Sequence, residues 1–238
     1  MTLSSLEVVK RGLEKVERSP GGIASFIDST LLKQVASLED AARLLEEASK
    51  LGFRCSVLPS EIAVIVLRRG MAGDACVAAT IGFPLGASTL RAKLEESREA
   101  LEAGARELDL VVNLWLGPER VEEEVSSIAS LAERHGALVK VIIEAPLLSD
   151  SDLEAIIRAV KSGGGDVVKT STGVYSKGGD PKTVARVYRV ARAYGLQVKA
   201  AGGIRTALDA IMALGAGADI IGTSSARLVL ESMGDVTR

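Results

Sequence analysis

Eight short apolar runs, each followed by an amphipathic stretch, constrain this chain more than any other feature. The runs are SFIDSTLL (25–32), FRCSVLP (53–59), ACVAATIGFP (75–84), ELDLVVN (107–113), LVKVIIEA (138–145), DVVKTST (166–172), LQVKAAGG (196–203) and ADIIGTSS (218–225). Near-continuous apolar, β-branched runs of this length suit strands buried on both faces. Strands that alternate with helices pair in parallel, because each helix returns the chain to the start of the next strand. Eight such units in 238 residues match the number and size of an α/β fold of the (β/α)8 TIM barrel type. A doubly wound open sheet uses the same alternation. Its usual GxGxxG turn after the first strand is absent, since that strand ends STLLKQ.

The intervening segments carry helix signals. Ser37 and Asp40 are spaced as a capping box, Leu38, Ala41, Leu45 and Ala48 share one face, and Gly52 ends the stretch. A second helix is expected from roughly Ser60 to Arg69. Pro118 opens the helix after the fourth strand, with Val121, Val125, Ile128 and Leu131 as its stripe and Gly136 as its stop. Asp180 and Pro181 start the helix after the sixth strand, and Gly195 closes it. Within residues 1–22, Leu6, Val9, Leu13 and Val16 recur at helical spacing. They predict an extra N-terminal helix that covers the barrel bottom or contacts another subunit. No linker or repeat divides the chain, so residues 1–238 are read as one barrel domain with 1–22 as its extension.

Bulk properties exclude several function classes. The net charge of −2 argues against a nucleic-acid binder. No apolar run approaches the roughly 18 residues of a membrane span, and the N-terminus lacks a signal-peptide pattern, so a cytoplasmic location is expected. The two cysteines, Cys55 and Cys76, have no CxxC spacing, which argues against a disulfide framework or a thiolate zinc site. The single histidine, His135, sits before Gly136 at a predicted helix end. A Ser-His-Asp triad or a multi-histidine metal site is then hard to build, which leaves acid–base work to Lys, Asp, Glu, Tyr or water. Asn113, Gln34 and Gln197 are the only side-chain amides, and their scarcity beside many Arg and Glu residues suggests a thermophilic source.

Active sites of α/β barrels lie at the C-terminal ends of the strands, so polar residues there are the informative ones. Lys169 ends the sixth run, where a lysine either serves a site or pairs with a carboxylate. Lys199 ends the next run. Adjacent strands lie about 5 Å apart, so two inward amines disfavour each other's charge. Lowering a lysine from 10.4 to about 7–8 takes roughly 4 kcal/mol, and burial beside a second cation is a recognised source. Such an amine can form a Schiff base with a small carbonyl compound. Asp109, set among apolar residues, is read as a proton acceptor and donor linked to Lys199, or as a balancing charge. Asp28 and Thr30 share one face of the first strand, and Lys140 and Glu144 share one face of the fifth. The latter two form an interior ion pair or act directly. Gly202-Gly203-Ile204-Arg205-Thr206 and Gly222-Thr223-Ser224-Ser225 lead into the last two helices, where barrel phosphate sites commonly lie.

DVVKTSTG around Lys169, VKAAGGIRT around Lys199, ELDLVVN around Asp109, and IGFPLG (81–86) together resemble the deoxyribose-phosphate aldolases, and IDSTLL, KVIIEA and IGTSS agree. The resemblance runs from about Ile27 to Ser225. It implies reversible joining of acetaldehyde to glyceraldehyde 3-phosphate, giving 2-deoxyribose 5-phosphate. Lys169 would be the Schiff-base nucleophile, Lys199 the perturbing lysine, and Asp109 its partner in a proton relay. Gly173, Gly202, Gly203, Gly222, Ser224 and Ser225 would hold the phosphate, with Cys55 near the substrate; Asp28 and Thr170 are candidate substrate groups from their places in the first and sixth runs. No metal or organic cofactor is implied, because the iminium is itself the electron sink. A homo-oligomer, dimer or tetramer, is implied as well. Ser29 stands where relatives often have His, and the loop VYSKGGDP varies within the family, so the resemblance assigns Lys177 no phosphate role. A different Schiff-base aldolase, a phosphosugar isomerase and a non-catalytic phosphosugar-binding barrel are the competing readings. A binder needs phosphate loops but no poised amine.

Overall fold

Every one of the eight apolar runs contains a strand in the computed structural model, which describes residues 4–236. They are β1 (Ile27–Thr30), β2 (Cys55–Pro59), β3 (Val77–Ile81), β4 (Glu107–Val111), β5 (Leu138–Ile142), β6 (Val167–Lys169), β7 (Gln197–Ala201) and β8 (Ile220–Thr223). Each pairs in parallel with its sequence neighbour, and β8 pairs with β1 to close the (β/α)8 barrel. A helical crossover returns the chain after every strand, so sequence order becomes spatial order. The residues that each run has beyond its strand enter the βα loops at the C-terminal rim.

The helices are α1 (Ser5–Glu17), α2 (Leu38–Leu51), α3 (Ser60–Arg68), α4 (Leu90–Glu102), α5 (Gly117–Glu133), α6 (Asp150–Ser162), α7 (Pro181–Ala193), α8 (Ala207–Gly215), α9 (Ala226–Glu231) and α10 (Met233–Val236). Local chemistry sets their ends. Ser37 and Asp40 form the reciprocal capping box, Pro118 lies in the first turn of α5, and Asp180 caps α7 through the amides of Lys182 and Thr183. On α5, Val121, Val125 and Ile128 are fully buried against the barrel. Each contributes about 1.5–3 kcal/mol on burial.

Alternation along the strands sorts the core. Leu108, Leu110, Val139 and Val141 belong to the apolar layer under the helices. Glu107, Asp109 and Lys140 take the opposite face, inside the barrel, and are buried there.

The N-terminal helix finds its partner within the chain, on α8. A Cβ on Gly12 would lie 2.0 Å from the Ile211 carbonyl oxygen, and one on Gly215 would lie 1.8 Å from that of Val8. The two backbones approach so closely only because both positions are glycine. Lys15 completes the contact, donating to Ala218 O at 2.6 Å and to Asp219 Oδ1 at 3.0 Å. Residues 1–3 of the predicted extension lie outside the described residues.

The cysteines correct the sequence reading. Cys55 and Cys76 form a disulfide, with their Cα atoms 4.6 Å apart. Ser56 on β2 stands beside Val77 on β3, so the residue before each strand position is also a neighbour. Parallel register joins what a separation of 21 residues conceals in the sequence.

Candidate active site

A cleft at the C-terminal rim has Lys169 as its deepest charged group. The Lys169 ammonium donates to Asp109 Oδ2 at 2.7 Å, and Lys199 donates to the same oxygen at 2.9 Å. Their strands lie side by side with Lys169 in register with Lys199; Lys169 ends β6 as expected, but Lys199 lies two residues inside β7, because that strand runs on to Ala201. The other Asp109 oxygen, Oδ1, accepts from Lys140 at 2.5 Å. One carboxylate thus faces three amines.

The network continues below this level. Asp28 Oδ2 accepts from Lys199 at 2.6 Å and from Lys140 at 3.2 Å. Glu107 Oε2 lies 2.7 Å from Lys140. Arg54 binds both Asp28 and Glu107. Four basic side chains (Arg54, Lys140, Lys169, Lys199) therefore meet three carboxylates (Asp28, Glu107, Asp109).

Proton affinities follow from this geometry. Burial works against charge on Asp109, but Lys140, Lys169 and Lys199 outweigh it and hold the carboxyl well below its ordinary range. Asp28 is likewise held down, with burial overcome by Lys140, Lys199 and Arg54. Burial also works against Lys140, yet Asp109, Asp28 and Glu107 together keep it above the usual lysine value. Lys199 differs. Its burial is only partly offset by Asp109 and Asp28, Lys140 and Lys169 oppose its charge, and the amine is pushed down to about 8. A buried lysine poised this way can exchange a proton near neutral pH.

Several glycines contribute to the cleft wall beside Lys169. Gly173, Gly202, Gly203, Gly222 and Ser224 line it, as do Lys33, Lys177 and Arg205. Gly202 and Gly203 have φ of +91° and +90°, and a Cβ on Gly202 would lie 2.7 Å from Ser171 Oγ. Only glycine fits this turn. The Lys177 stem passes 3.5 Å from where a Gly203 Cβ would stand.

Several predicted substrate contacts lie elsewhere. Asp28 is fully buried, and its carboxylate is occupied by Lys199, Lys140 and Arg54. The Thr170 hydroxyl joins β6 to β7, donating to Ala201 O at 3.2 Å and accepting from Ala201 N–H at 3.0 Å. Ser225 precedes α9, and its amide donates to Thr223 Oγ1 at 2.9 Å. Cys55 is in the disulfide, and none of these four lines the cleft. Lys140 and Glu144 do not pair. Glu144, at φ 45°, instead accepts from the Thr172 amide at 2.7 Å and from the Thr172 and Ser176 hydroxyls, fixing the loop after β6. Ser29 is buried on the face of β1 opposite Asp28.

Sequence reasoning missed Arg54, Glu107, Lys33 and Phe83. The signal for Glu107 was available, since it shares strand parity with Asp109. Among the described residues, one group has metal-like spacing: Cys55, Cys76 and Glu107. Its sulfurs are bonded to each other and its carboxylate is held by Arg54 and Lys140, so no donor set is left for an ion.

Comparison with known proteins agrees with this arrangement. The model of the DeoC/LacD family aldolases matches residues 28–232. The deoxyribose-phosphate aldolase of Aeropyrum pernix is 51% identical over 229 residues, covering 96% of this chain and 97% of its own. That of Thermococcus kodakarensis is 39% identical over 220 residues, covering 90% and 97%. The solved structure of the Aeropyrum pernix enzyme, described as a unique tetramer, superposes with a TM-score of 0.95 at 50% identity, covering 98% of this chain and 100% of that one. A closed barrel with paired lysines on adjacent strands, matched over nearly its whole length, places this chain in the DeoC/LacD family of aldolases.

Proposed function

We propose that this chain is a class I aldolase that reversibly cleaves 2-deoxy-D-ribose 5-phosphate to D-glyceraldehyde 3-phosphate and acetaldehyde through a Schiff base on Lys169. The observation that carries this reading is the amine of Lys169 at the base of the cleft, held with Lys199 on one Asp109 oxygen. In its neutral form Lys169 attacks the C1 carbonyl of the open-chain sugar, and loss of water gives an iminium. The C2–C3 bond then breaks. Its electron pair moves onto C2 and into the iminium, leaving an enamine, while the C3 hydroxyl gives up its proton and becomes the aldehyde of glyceraldehyde 3-phosphate. Protonation of the enamine at C2 and hydrolysis release acetaldehyde. Asp109 and Lys199 carry the protons, since an amine titrating near 8 can give and take one at working pH.

The glycines Gly173, Gly202 and Gly203 in the loops and Gly222 near the end of β8, with Ser224, support phosphate binding, because they offer backbone N–H groups and no side-chain bulk. Lys177 and Arg205 add positive charge beside them. We read the chain as one domain, since the strands form a single closed barrel. A homo-oligomer fits the tetrameric relative. No helix among the described residues is long and apolar enough to cross a membrane, which is compatible with a cytoplasmic enzyme.

The test is release of acetaldehyde from 2-deoxyribose 5-phosphate, followed through NADH consumption by alcohol dehydrogenase. Wild type should turn over and Lys169→Ala should not. Absence of turnover in wild type, or its survival in Lys169→Ala, would overturn the assignment.

A further inference from the structure

Beyond the two lysines and Asp109, the charge network extends to a residue that no step of the reaction uses. Arg54 stands just before β2, one residue ahead of Cys55. Its Nε donates to Asp28 Oδ1 at 2.8 Å and its Nη2 to Asp28 Oδ2 at 3.2 Å. Its Nη1 and Nη2 reach Glu107 Oε1 at 2.7 Å and Oε2 at 2.5 Å. Asp28 Oδ2 is the oxygen that Lys199 also binds, at 2.6 Å. Arg54 and Lys199 are therefore joined through one buried carboxylate.

Charge balance gives this contact a consequence. Without Arg54, three lysines would match three carboxylates, and every amine could keep its proton beside a counter-ion. With Arg54 the interior carries one positive charge in excess. A buried excess charge is relieved by proton loss. Arg54 cannot lose one, because a guanidinium stays charged in proteins. Lys140 touches all three carboxylates. Lys199 touches two, and both are shared: Asp28 with Lys140 and Arg54, Asp109 with Lys140 and Lys169. The groups facing Lys199 are thus Asp28 from β1, Asp109 from β4, Lys140 from β5 and Lys169 from β6, with Arg54 and Glu107 one contact further away.

We propose that Arg54 is a positioning residue for protons: acting through Asp28, it sets the charge state of Lys199 without touching the substrate. This rests on the Schiff-base reading above. The geometry fits that task, since Arg54 keeps a 24% exposed side chain while the oxygens it binds on Asp28 belong to a fully buried one. Its charge is hydrated in part, yet it acts directly on the buried network.

The experiment measures cyanoborohydride trapping with acetaldehyde, and kcat/KM for 2-deoxyribose 5-phosphate, from pH 5.5 to 9.5. Wild type, Arg54→Met, Arg54→Lys and Glu107→Gln are compared. Removing the positive charge should move the acid limb of Arg54→Met up by about one pH unit, the size expected for one nearby unit charge. Its rate at pH 6.5 then falls about tenfold, and the curves converge above the limb. Arg54→Lys keeps the charge and should keep the wild-type limb. Glu107→Gln removes a negative charge and should move the limb down. A limb unmoved in Arg54→Met, or an equal loss at every pH, overturns the proposal. If Arg54→Met does not fold, Glu107→Gln decides: a limb unmoved or raised there overturns it. Wild type that gives no adduct removes the Schiff-base reading and this inference together. Wild type trapped on Lys169, with variants sharing its limb, removes this inference alone.

Discussion

Asp109 is the residue on which the site turns. Its two oxygens serve Lys140, Lys169 and Lys199, so its charge decides how readily those amines hold protons. Asp109→Asn keeps the shape and removes the charge. Turnover should fall by roughly 100-fold or more, the range expected when a general acid–base partner is lost. The acid limb should also move down, because the amines lose a counter-charge. A variant within tenfold of wild type, with an unmoved limb, would remove Asp109 from the relay. In wild type the acid limb should lie near 8, where Lys199 exchanges its proton. The sign follows from burial: Lys199 sheds its proton in the folded chain at a pH where the unfolded chain, titrating near 10.4, keeps it. Its charge therefore costs stability below about pH 8, and the cost fades as pH rises toward the unfolded value. Asp109, Lys169 and Lys199 could be read from the sequence because polar residues interrupt apolar runs there. Arg54 also interrupts a run, FRCSVLP, but it falls just before β2 at the opposite end of the strand from the rim, and its direction depends on where Asp28 and Glu107 end up.

At the scale of elements, the loops over the site are anchored by charges that never reach it. Lys93 on α4 and Glu124 on α5 are both fully buried and meet at 2.8 Å. Glu124 also accepts the Asn113 amide at 3.0 Å, and the Lys93 stem packs beneath Gly82, next to Phe83 at the cleft. Lys93→Met leaves the buried Glu124 with Arg120, 3.3 Å away, as its remaining cation and should cost about 1–3 kcal/mol, whereas Lys93→Met with Glu124→Leu should cost less. Urea denaturation checks this, and equal losses in the two variants would contradict it. Helix starts such as Ser37, Pro118 and Asp180 were legible because a cap is made within four residues of sequence. The docking of α1 on α8 was not. Gly12 and Gly215 are far apart in sequence, and a glycine that admits a distant backbone resembles any other.

For the whole molecule, the alternation of runs and helices carried the fold because a barrel has no other way to use eight buried strands in order. Cysteine spacing argued against a disulfide because pairing of parallel neighbours, rather than spacing, brings Cys55 to Cys76. A disulfide in a chain read as cytoplasmic is unusual outside hyperthermophiles. With the scarcity of amides, it supports a thermophilic source. We expect a melting midpoint above the ordinary range of about 45–65 °C. Cys55→Ser with Cys76→Ser should lower it by about 5–10 °C, in keeping with closure of a loop of this size. Calorimetry under non-reducing conditions measures both, and a midpoint inside the ordinary range would contradict the thermal reading.

Borohydride trapping with acetaldehyde, followed by peptide mass mapping, decides whether Lys169 is the covalent nucleophile. A reduced two-carbon adduct on Lys169, lost in Lys169→Ala, is expected. No adduct, or one mainly on Lys199 or Lys140, would contradict it.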